Sequence, residues 1–292
     1  MSDPKPIFAP GPTMMGKVPT PAFFSAMSRV YAKNTGNSTR TIFAESLEAI
    51  TAIRPITSGS VIHDNAAGPG TATSAMIEAL PPSILPTIQI HITDSVPGMV
   101  SAARETFTAL ISSSSSTITV SEMDSQNLTF PDAYFTHSIY NFSVFAVPDP
   151  LLSLKEIHRT LQKGGVAAVL TWRRFGAGEL MRAAQGLVRP DLPPIFIPHE
   201  EFMREGYLSH MMVEAGFEEG KVTTLSKRLA VTGENLEGLR QFVSGDFSES
   251  AKKGWTEEEV ARWPEAIGRA MEAEVAAHGG LLFEAWVVLA TK

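Results

Sequence analysis

The feature that most constrains the fold is a regular alternation of short β-rich runs with helical stretches between residues 60 and 172. The predicted strands cover residues 60–64, 87–93, 117–121, 133–139 and 166–172, and the predicted helices between them cover 71–80, 97–110 and 150–161. After a Pro-rich interruption the rhythm resumes with a helix over 200–215 and strands over 221–230 and 282–290. Such alternation produces a mostly parallel sheet with helices on both faces, so the sequence predicts an α/β fold.

The segments on either side of this alternating region suggest a division of the chain. Residues 1–54 are predicted to form an irregular arm followed by cap helices, because five prolines precede residue 20 and apolar residues then recur at helical spacing, with a polar break at 34–38. Residues 55–292 are predicted to form one large domain. A cap insertion is expected within it at about 173–210, where four prolines interrupt the strand and helix pattern.

Composition excludes several functional classes. Lys and Arg total 24 against 31 Asp and Glu, a net charge of −7, and no more than two basic residues are adjacent, so nucleic acid and anionic membrane are not expected partners. Cys is absent, which excludes disulfides, thiolate metal sites and a Cys nucleophile. No apolar run is long enough for a signal peptide core or a membrane span, and the sequence predicts a cytoplasmic protein without a metal site.

The most informative segment is the apolar run from residue 61 that enters a turn of small residues and then a helix beginning at Thr71. Asp64 ends the predicted strand, and Gly68 and Gly70 lie in the turn. Small residues allow the backbone to turn sharply and to approach a nucleotide-like ligand, and the first N–H groups of the helix can bind an anionic group. A glycine-rich turn alone is a weak signal.

Two further acids strengthen this signal, because each lies at the end of a later predicted strand. Asp94 follows the second strand, 24 residues after Gly70, a spacing at which a carboxylate can accept both hydroxyls of an adenosine ribose. Asp124 follows the third strand, where a carboxylate can accept the adenine amino group. For each acid taken alone, a helix N-cap is an equally good explanation.

Residues 60–172 resemble the class I S-adenosylmethionine-dependent methyltransferases. The run from Asp64 to Gly70 is similar to their Asp-x-Gly-x-Gly-x-Gly motif, residues 123–132 to their adenine loop, and residues 161–165 to the stretch before their fifth strand. The resemblance implies a Rossmann-like, seven-stranded, mostly parallel sheet with an antiparallel last strand and a helical cap. It also implies S-adenosylmethionine as cofactor. One departure is Ala66, which stands where the family motif has its first glycine and needs a backbone conformation that tolerates Cβ.

Within that family the likeness is greatest to fungal natural-product methyltransferases, including those of the gliotoxin pathway. The similar segments are residues 64–66, 124–127, 134–137 and 255–258. The likeness implies methyl transfer to an O, N or S atom of a small molecule in secondary metabolism, and it does not specify the substrate.

These arguments assign a set of site residues by position. The expected cofactor contacts are Tyr31, Asp64, Asn65, Ala66, Gly68, Gly70, Asp94, Ser95, Met99, Asp124, Ser125 and Asn141. Tyr31 is included because the N-terminal helices of the family cover this site. The expected substrate contacts are Phe24, Met27, His137, Trp172 and His199. Core packing is the alternative role for each large apolar residue.

Several alternatives stay open from the sequence. No histidine falls in a recognisable pairing of base and orienting residue, so a general base is not assigned, although His137, His199 and His210 are candidates. The same fold could catalyse a cyclisation or pericyclic step with the cofactor as a fixed charge, or could be a non-catalytic regulator. The acceptor atom, the substrate and the oligomeric state are left open.

Overall fold

The computed structural model describes residues 35–112, 117–197 and 199–292, together with the isolated positions Ala22, Ser25 and Ser28. The helix expected after residue 21 therefore lies outside the described residues. The same holds for three predicted site residues, Phe24, Met27 and Tyr31.

Seven strands form one sheet in the described part of the chain. They are β1 (Val61–Asn65), β2 (Gln89–Asp94), β3 (Ile118–Glu122), β4 (Phe135–Asn141), β5 (Leu161–Arg174), β6 (Val222–Val231) and β7 (Leu281–Thr291). The order across the sheet is β3-β2-β1-β4-β5-β7-β6. Strand β7 runs antiparallel to both β5 and β6, and the other neighbours pair in parallel. The predicted Rossmann-like sheet with an antiparallel last strand is confirmed.

Nine α-helices accompany the sheet within the described residues. They are α1 (Ser38–Ile53), α2 (Thr71–Ala79), α3 (Pro97–Thr106), α4 (Thr108–Ile111), α5 (Pro150–Thr160), α6 (Gly176–Val188), α7 (Tyr207–Glu214), α8 (Gly233–Ser244) and α9 (Glu257–His278). The helix expected over 200–215 is divided into a 3₁₀ helix, Glu200–Met203, and α7. Helices α8 and α9, between β6 and β7, have no counterpart in the sequence-based prediction.

Two hydrophobic clusters flank the sheet. One cluster packs α1, α2, α6 and α9 against one face, and Ile42, Phe43 and Ile50 of α1 are almost fully buried in it. The second packs α5 and α7 against the other face, with Leu154 and Met212 at its centre. Full burial of such side chains contributes about 1.5–3 kcal/mol each, so this packing fixes the sheet that presents the site.

The glycines expected to end α5 lie inside a strand instead. Helix α5 ends at Thr160 and β5 begins at the next residue, so Gly164 and Gly165 fall within β5. The Gly164 N–H donates to the carbonyl of Lys292, and the Lys292 N–H donates to the carbonyl of Gly165. These bonds tie the start of β5 to the end of β7.

The longest helix in the described residues, α9, is rich in charged side chains. In the part of the chain that the structure describes, no helix combines the length and the apolar character needed to cross a bilayer.

Candidate functional site

The carboxyl ends of the parallel strands meet at one edge of the sheet, which is where open α/β sheets bind ligands. The turn after β1 is tied to β2 because the Gly68 N–H donates to Asp94 Oδ2 at 2.8 Å and the Ala67 N–H donates to the carbonyl of Thr93 at 2.9 Å. The segment after β3 joins them, since the Met123 N–H donates to the carbonyl of Asp94 at 3.0 Å. Three loops that are distant in sequence are thereby held together.

The turn after β1 has left-handed backbone at alternate residues. The φ angles are 46° at Ala66, 58° at Gly68 and 84° at Gly70. A Cβ atom at Gly70 would also collide with the ring of Phe107. Glycine is therefore needed at Gly70 for both conformation and space, whereas Ala66 occupies a conformation that L-residues adopt at a cost of about 1–2 kcal/mol.

Because of that conformation, Ala66→Val is expected to be much more damaging than Ala66→Gly. A β-branched side chain is a severe outlier at positive φ, so the valine variant should lose about 2 kcal/mol of stability and most of its affinity for S-adenosylmethionine. Ala66→Gly should keep both. Thermal unfolding and isothermal calorimetry of the two variants test this, and a valine variant that binds normally would show that the turn does not contact the cofactor.

Asp64 is fully buried and holds the start of α2. Its Oδ2 accepts hydrogen bonds from the Thr73 N–H at 3.0 Å and from the Thr73 hydroxyl at 2.6 Å. Burial raises the pKa of Asp64 to about 6, and this outweighs the lowering by the two bonds from Thr73. Its other oxygen, Oδ1, is buried and has no hydrogen-bond partner. A carboxylate oxygen in that state suits a cationic group of a ligand.

Two asparagines at the same edge also carry buried polar atoms without partners. Both amide atoms of Asn65, the last residue of β1, lack a hydrogen bond although the side chain is fully buried. Asn141, the last residue of β4, has an unpartnered Oδ1. A buried amide normally finds partners, so these side chains have free capacity for a polar ligand.

The Asp94 side chain is nearly buried and anchored from two sides. Its Oδ1 accepts the Val96 N–H at 2.8 Å, while Oδ2 accepts the Gly68 N–H. Burial raises the pKa of Asp94, although both backbone bonds act in the opposite direction. Ser95 is exposed beside it, and the Met99 sulfur lies 3.8 Å from the place a Cβ at Gly68 would take. The structure thus brings these predicted residues together.

Asp124 and Ser125 lie on the loop that follows β3. The exposed Asp124 accepts the N–H of Gln126 at 2.9 Å, and Gln126 Oε1 in turn accepts the N–H of Asp149 at the start of α5. Ser125 is buried, with its hydroxyl 3.4 Å from that of Tyr140. Burial raises the pKa of Tyr140 to about 12, which keeps this phenol protonated. The loop is therefore fixed beside β4 and α5.

Trp172 belongs to an aromatic cluster at the carboxyl ends of β4 and β5. Its ring centroid is 4.0 Å from that of Phe142, 5.2 Å from that of Phe283 and 5.7 Å from that of Phe175. Trp172, Phe142 and Phe283 are buried, and Phe175 is partly exposed. The cluster forms an apolar wall next to Asn141.

The structure places His137 in the buried interior of the sheet and away from the carboxyl edge, so its position does not support the predicted contact with substrate. Strand β4 begins two residues later than predicted and ends at Asn141, so His137 lies inside it, paired in register with Ile62. Its Nε2 is 2.9 Å from the carbonyl of Arg54 and its Nδ1 is 2.8 Å from the Thr136 hydroxyl. Burial lowers the pKa of His137. This histidine joins the end of α1 to the sheet.

The other two candidate histidines pair with acids of their own segments. His199 has a φ of 58° and precedes the 3₁₀ helix, with its Nδ1 3.2 Å from the carboxylate of Glu201. His210, on α7, has its Nε2 3.6 Å from the carboxylate of Glu214. Neither pairing is with a residue of the turn after β1.

Sequence reasoning missed Ser143, which lies two residues after β4. Its hydroxyl donates to the carbonyl of Ala66 at 2.9 Å, with the carbonyl of Asn141 at 3.1 Å as a second acceptor. Since 77 residues separate Ser143 from Ala66, no local pattern signals the contact.

Comparison with known proteins agrees with this geometry. The sequence family described as a methyltransferase domain matches residues 64–169, from the end of β1 through most of β5. The crystal structure of MccD protein has a TM-score of 0.51 and 14% identity, covering 86% of this chain and 96% of that one, and thus shares the fold. Residues 64–169 are therefore similar to a methyltransferase domain, and the likeness to MccD protein extends to the fold alone.

Two fungal relatives match along most of their length. Methyltransferase ktnA of Aspergillus niger is 26% identical over 287 residues, which cover 88% of this chain and 92% of that protein. Methyltransferase tpcH of Aspergillus fumigatus is 24% identical over 253 residues, which cover 82% and 85% respectively. The similarity therefore extends beyond the matched domain.

Proposed function

We propose that the chain transfers the methyl group of S-adenosylmethionine to an O, N or S nucleophile of a small molecule of secondary metabolism. The observation that carries the proposal is the convergence at one sheet edge of the Gly68–Asp94 bond with the unpartnered amide of Asn65 and the unpartnered Oδ1 of Asn141. The similarity to fungal methyltransferases supports the metabolic setting.

The adenosine part of the cofactor is assigned to the ends of β2 and β3. Each Asp94 oxygen already accepts one backbone N–H and retains a lone pair for a ribose hydroxyl. Met99 supplies an apolar surface beside Gly68, and Asp124 and Ser125 are placed to receive the adenine edge. Ser95 is exposed at the rim.

The amino-acid part is assigned to the ends of β1 and β4. Asp64 Oδ1 can accept a hydrogen bond from the ammonium group of the cofactor. The Asn65 and Asn141 amides can form hydrogen bonds with other polar atoms of its amino-acid part. Without such a ligand these buried groups would leave hydrogen-bonding capacity unused, which is unfavourable by about 1–3 kcal/mol per group. The donor set present therefore fits the cofactor.

The reaction requires alignment rather than covalent participation by the protein. When bound, the cofactor supplies a methyl group on a sulfonium, whose C–S bond breaks as the acceptor lone pair forms its bond to the methyl carbon. The residues of the turn after β1 orient the methyl donor, and the aromatic wall around Trp172 keeps water from the acceptor. The acceptor's proton leaves to solvent or to a side chain at the rim.

Because α1 packs against one face of the sheet, we propose that the cap over this edge is formed by residues 1–37 and about 173–210. A Cβ at Gly98, in the first turn of α3, would collide with Ser25, so Ser25 lies against the helix that follows Asp94. A Cβ at Gly176 would collide with the carbonyl of Leu282, which places the start of α6 against the start of β7. Both contacts are at the carboxyl edge.

We expect that no single histidine is indispensable, because His199 and His210, with the glutamates beside them, lie on segments other than the strand-end loops that carry Asp64 and Asp94. General base catalysis contributes about 10²–10⁴-fold, whereas shared positioning predicts losses below about tenfold in His199→Ala and His210→Ala. Single-turnover methyl transfer at saturating cofactor measures this. A thousandfold loss in one variant, rescued at higher pH, would identify that histidine as a base.

Methyl transfer is distinguished from a cyclisation, and from a regulatory role, by following the methyl group. The protein is incubated with methyl-labelled S-adenosylmethionine and an extract that contains candidate acceptors. Label in a small molecule, together with S-adenosylhomocysteine, is the expected result. Binding without release of S-adenosylhomocysteine would favour the pericyclase or regulator alternatives.

A further inference from the structure

Ser143 joins the loops after β1 and β4 at the carboxyl edge of the sheet. Its hydroxyl donates to the carbonyl of Ala66, so it contacts the residue that stands at a glycine position of the family motif. We infer that Ser143 is a positioning residue that holds Ala66 in the left-handed conformation needed for cofactor binding. The inference rests on the proposed function for its effect on the cofactor, but not for its effect on the loop.

Ala66 adopts a backbone conformation that alanine intrinsically disfavours. At a φ of 46° an alanine is in a region that glycine enters freely and alanine does not. Such a conformation persists only where the surroundings fix it. The peptide group between Ala66 and Ala67 is held from both sides, because its N–H donates to the carbonyl of Thr93 and its carbonyl accepts from the Ser143 hydroxyl.

The segment that carries Ser143 is held rigidly by its neighbour Phe142. Its neighbour Phe142 also has a positive φ, of 54°, and its N–H donates to the carbonyl of Leu170 in β5 at 3.0 Å. The Phe142 ring packs on Trp172. A bulky residue with these constraints fixes the course of the chain, so the Ser143 hydroxyl is presented from a rigid support.

The bond from Ser143 to Ala66 should affect the affinity for S-adenosylmethionine. If only a fraction of molecules has the turn in its binding conformation, the apparent dissociation constant rises by the inverse of that fraction. Loss of the Ser143 bond leaves the peptide group between Ala66 and Ala67 held by the Thr93 bond alone against the steric penalty of Ala66, whereas a glycine at that position enters the left-handed region without that penalty. The effect of removing Ser143 must therefore depend on the residue at position 66.

The experiment compares Ser143→Ala in the natural background and together with Ala66→Gly. We expect Ser143→Ala alone to weaken S-adenosylmethionine binding about tenfold by calorimetry, and to weaken it only about twofold when Ala66→Gly is also present. Ser143→Thr, which keeps a hydroxyl, should bind within about threefold of the natural protein. Ser209→Ala is the matched control, because Ser209 also donates to a backbone carbonyl, that of Gly206, but on α7.

The natural protein, the two single variants Ser143→Ala and Ala66→Gly, and the double variant are also unfolded thermally without cofactor. The drop in melting temperature caused by Ser143→Ala is expected to be smaller in the Ala66→Gly background than in the natural background. Equal losses in both backgrounds, in affinity and in melting temperature, would overturn the inference. If the natural protein binds no S-adenosylmethionine, the proposed function fails, and the melting temperatures alone still decide whether Ser143 holds Ala66.

Discussion

Replacing Asp94 with alanine is expected to weaken S-adenosylmethionine binding by at least about a hundredfold. Hydrogen bonds to a charged group contribute about 1.5–3 kcal/mol each, and a ribose offers two hydroxyls to this carboxylate. The substitution also removes the acceptor of the Gly68 N–H, so the turn after β1 loses its tie to β2. Both effects act in the same direction.

Calorimetric titration of the folded variant with S-adenosylmethionine measures this loss. Asp94→Asn separates the two contributions, because an amide oxygen can still accept one backbone N–H while the charge is gone. The exposed Glu205→Ala is a control for removal of a carboxylate elsewhere. Unchanged affinity in Asp94→Ala would remove this residue from the cofactor site.

Asp64→Asn is expected to stabilise the fold and weaken cofactor binding at the same time. The pKa of Asp64 is raised from about 3.8 to about 6, so the charged carboxylate destabilises the folded state by up to about 3 kcal/mol above pH 6. An asparagine oxygen can accept both bonds from Thr73 without that charge. The substitution also removes the negative charge that would bind a cationic group of the cofactor. Binding should therefore weaken about 10- to 100-fold.

The difference in stability between the natural protein and Asp64→Asn should depend on pH. Below about pH 4 the carboxyl is protonated in the folded and unfolded states, so the two proteins should be equally stable there. Between about pH 4 and 6 the unfolded chain gives up this proton while the folded state keeps it. The free energy of unfolding of the natural protein should therefore drop below that of Asp64→Asn. Burial also lowers the pKa of His63 to about 3, which destabilises both proteins alike in acid, so the difference between them is the quantity to measure.

Urea unfolding at pH 4, 6 and 8 provides that difference. Asp132→Asn is the matched control, since Asp132 is largely exposed and its pairing with Arg159 should contribute little. A variant that is less stable than the natural protein at pH 8 would show that Asp64 is stabilised by an interaction other than those with Thr73. Unchanged affinity of Asp64→Asn for S-adenosylmethionine would show that Asp64 does not contact the cofactor.

The sheet and the grouping of Asp64 and Asp94 at its carboxyl edge could be predicted because their signals are local. Asp64 and Asp94 each end an apolar run, and parallel strands bring such ends together. His137 was misplaced because β4 ends two residues later than predicted, at Asn141, which puts this side chain four residues from the carboxyl end of the strand. Helix α9 was missed because Pro264 interrupts its pattern, although the helix continues with the neighbouring Trp263 fully buried.

The conformation of Ala66 and the role of Ser143 could not be predicted for a different reason. A positive φ at alanine depends on contacts with segments that are distant in sequence, here the carbonyl of Thr93 and the hydroxyl of Ser143. Local preference alone disfavours it. Similarly, whether a buried asparagine such as Asn65 is satisfied depends on its whole surroundings rather than on its place at a strand end.

The position of β7 between β5 and β6 has a consequence for how the chain reaches its native state. The eleven residues of β7 are the last strand along the chain, yet they fill the gap between two strands that come earlier. Until they pair, β5 presents an open hydrogen-bonding edge of buried, apolar character, the kind of edge through which nascent chains associate with one another. The five strands from β3 to β5, which carry Asp64 and Asp94, can therefore assemble early, but β5 is protected from association with other chains only after β7 inserts.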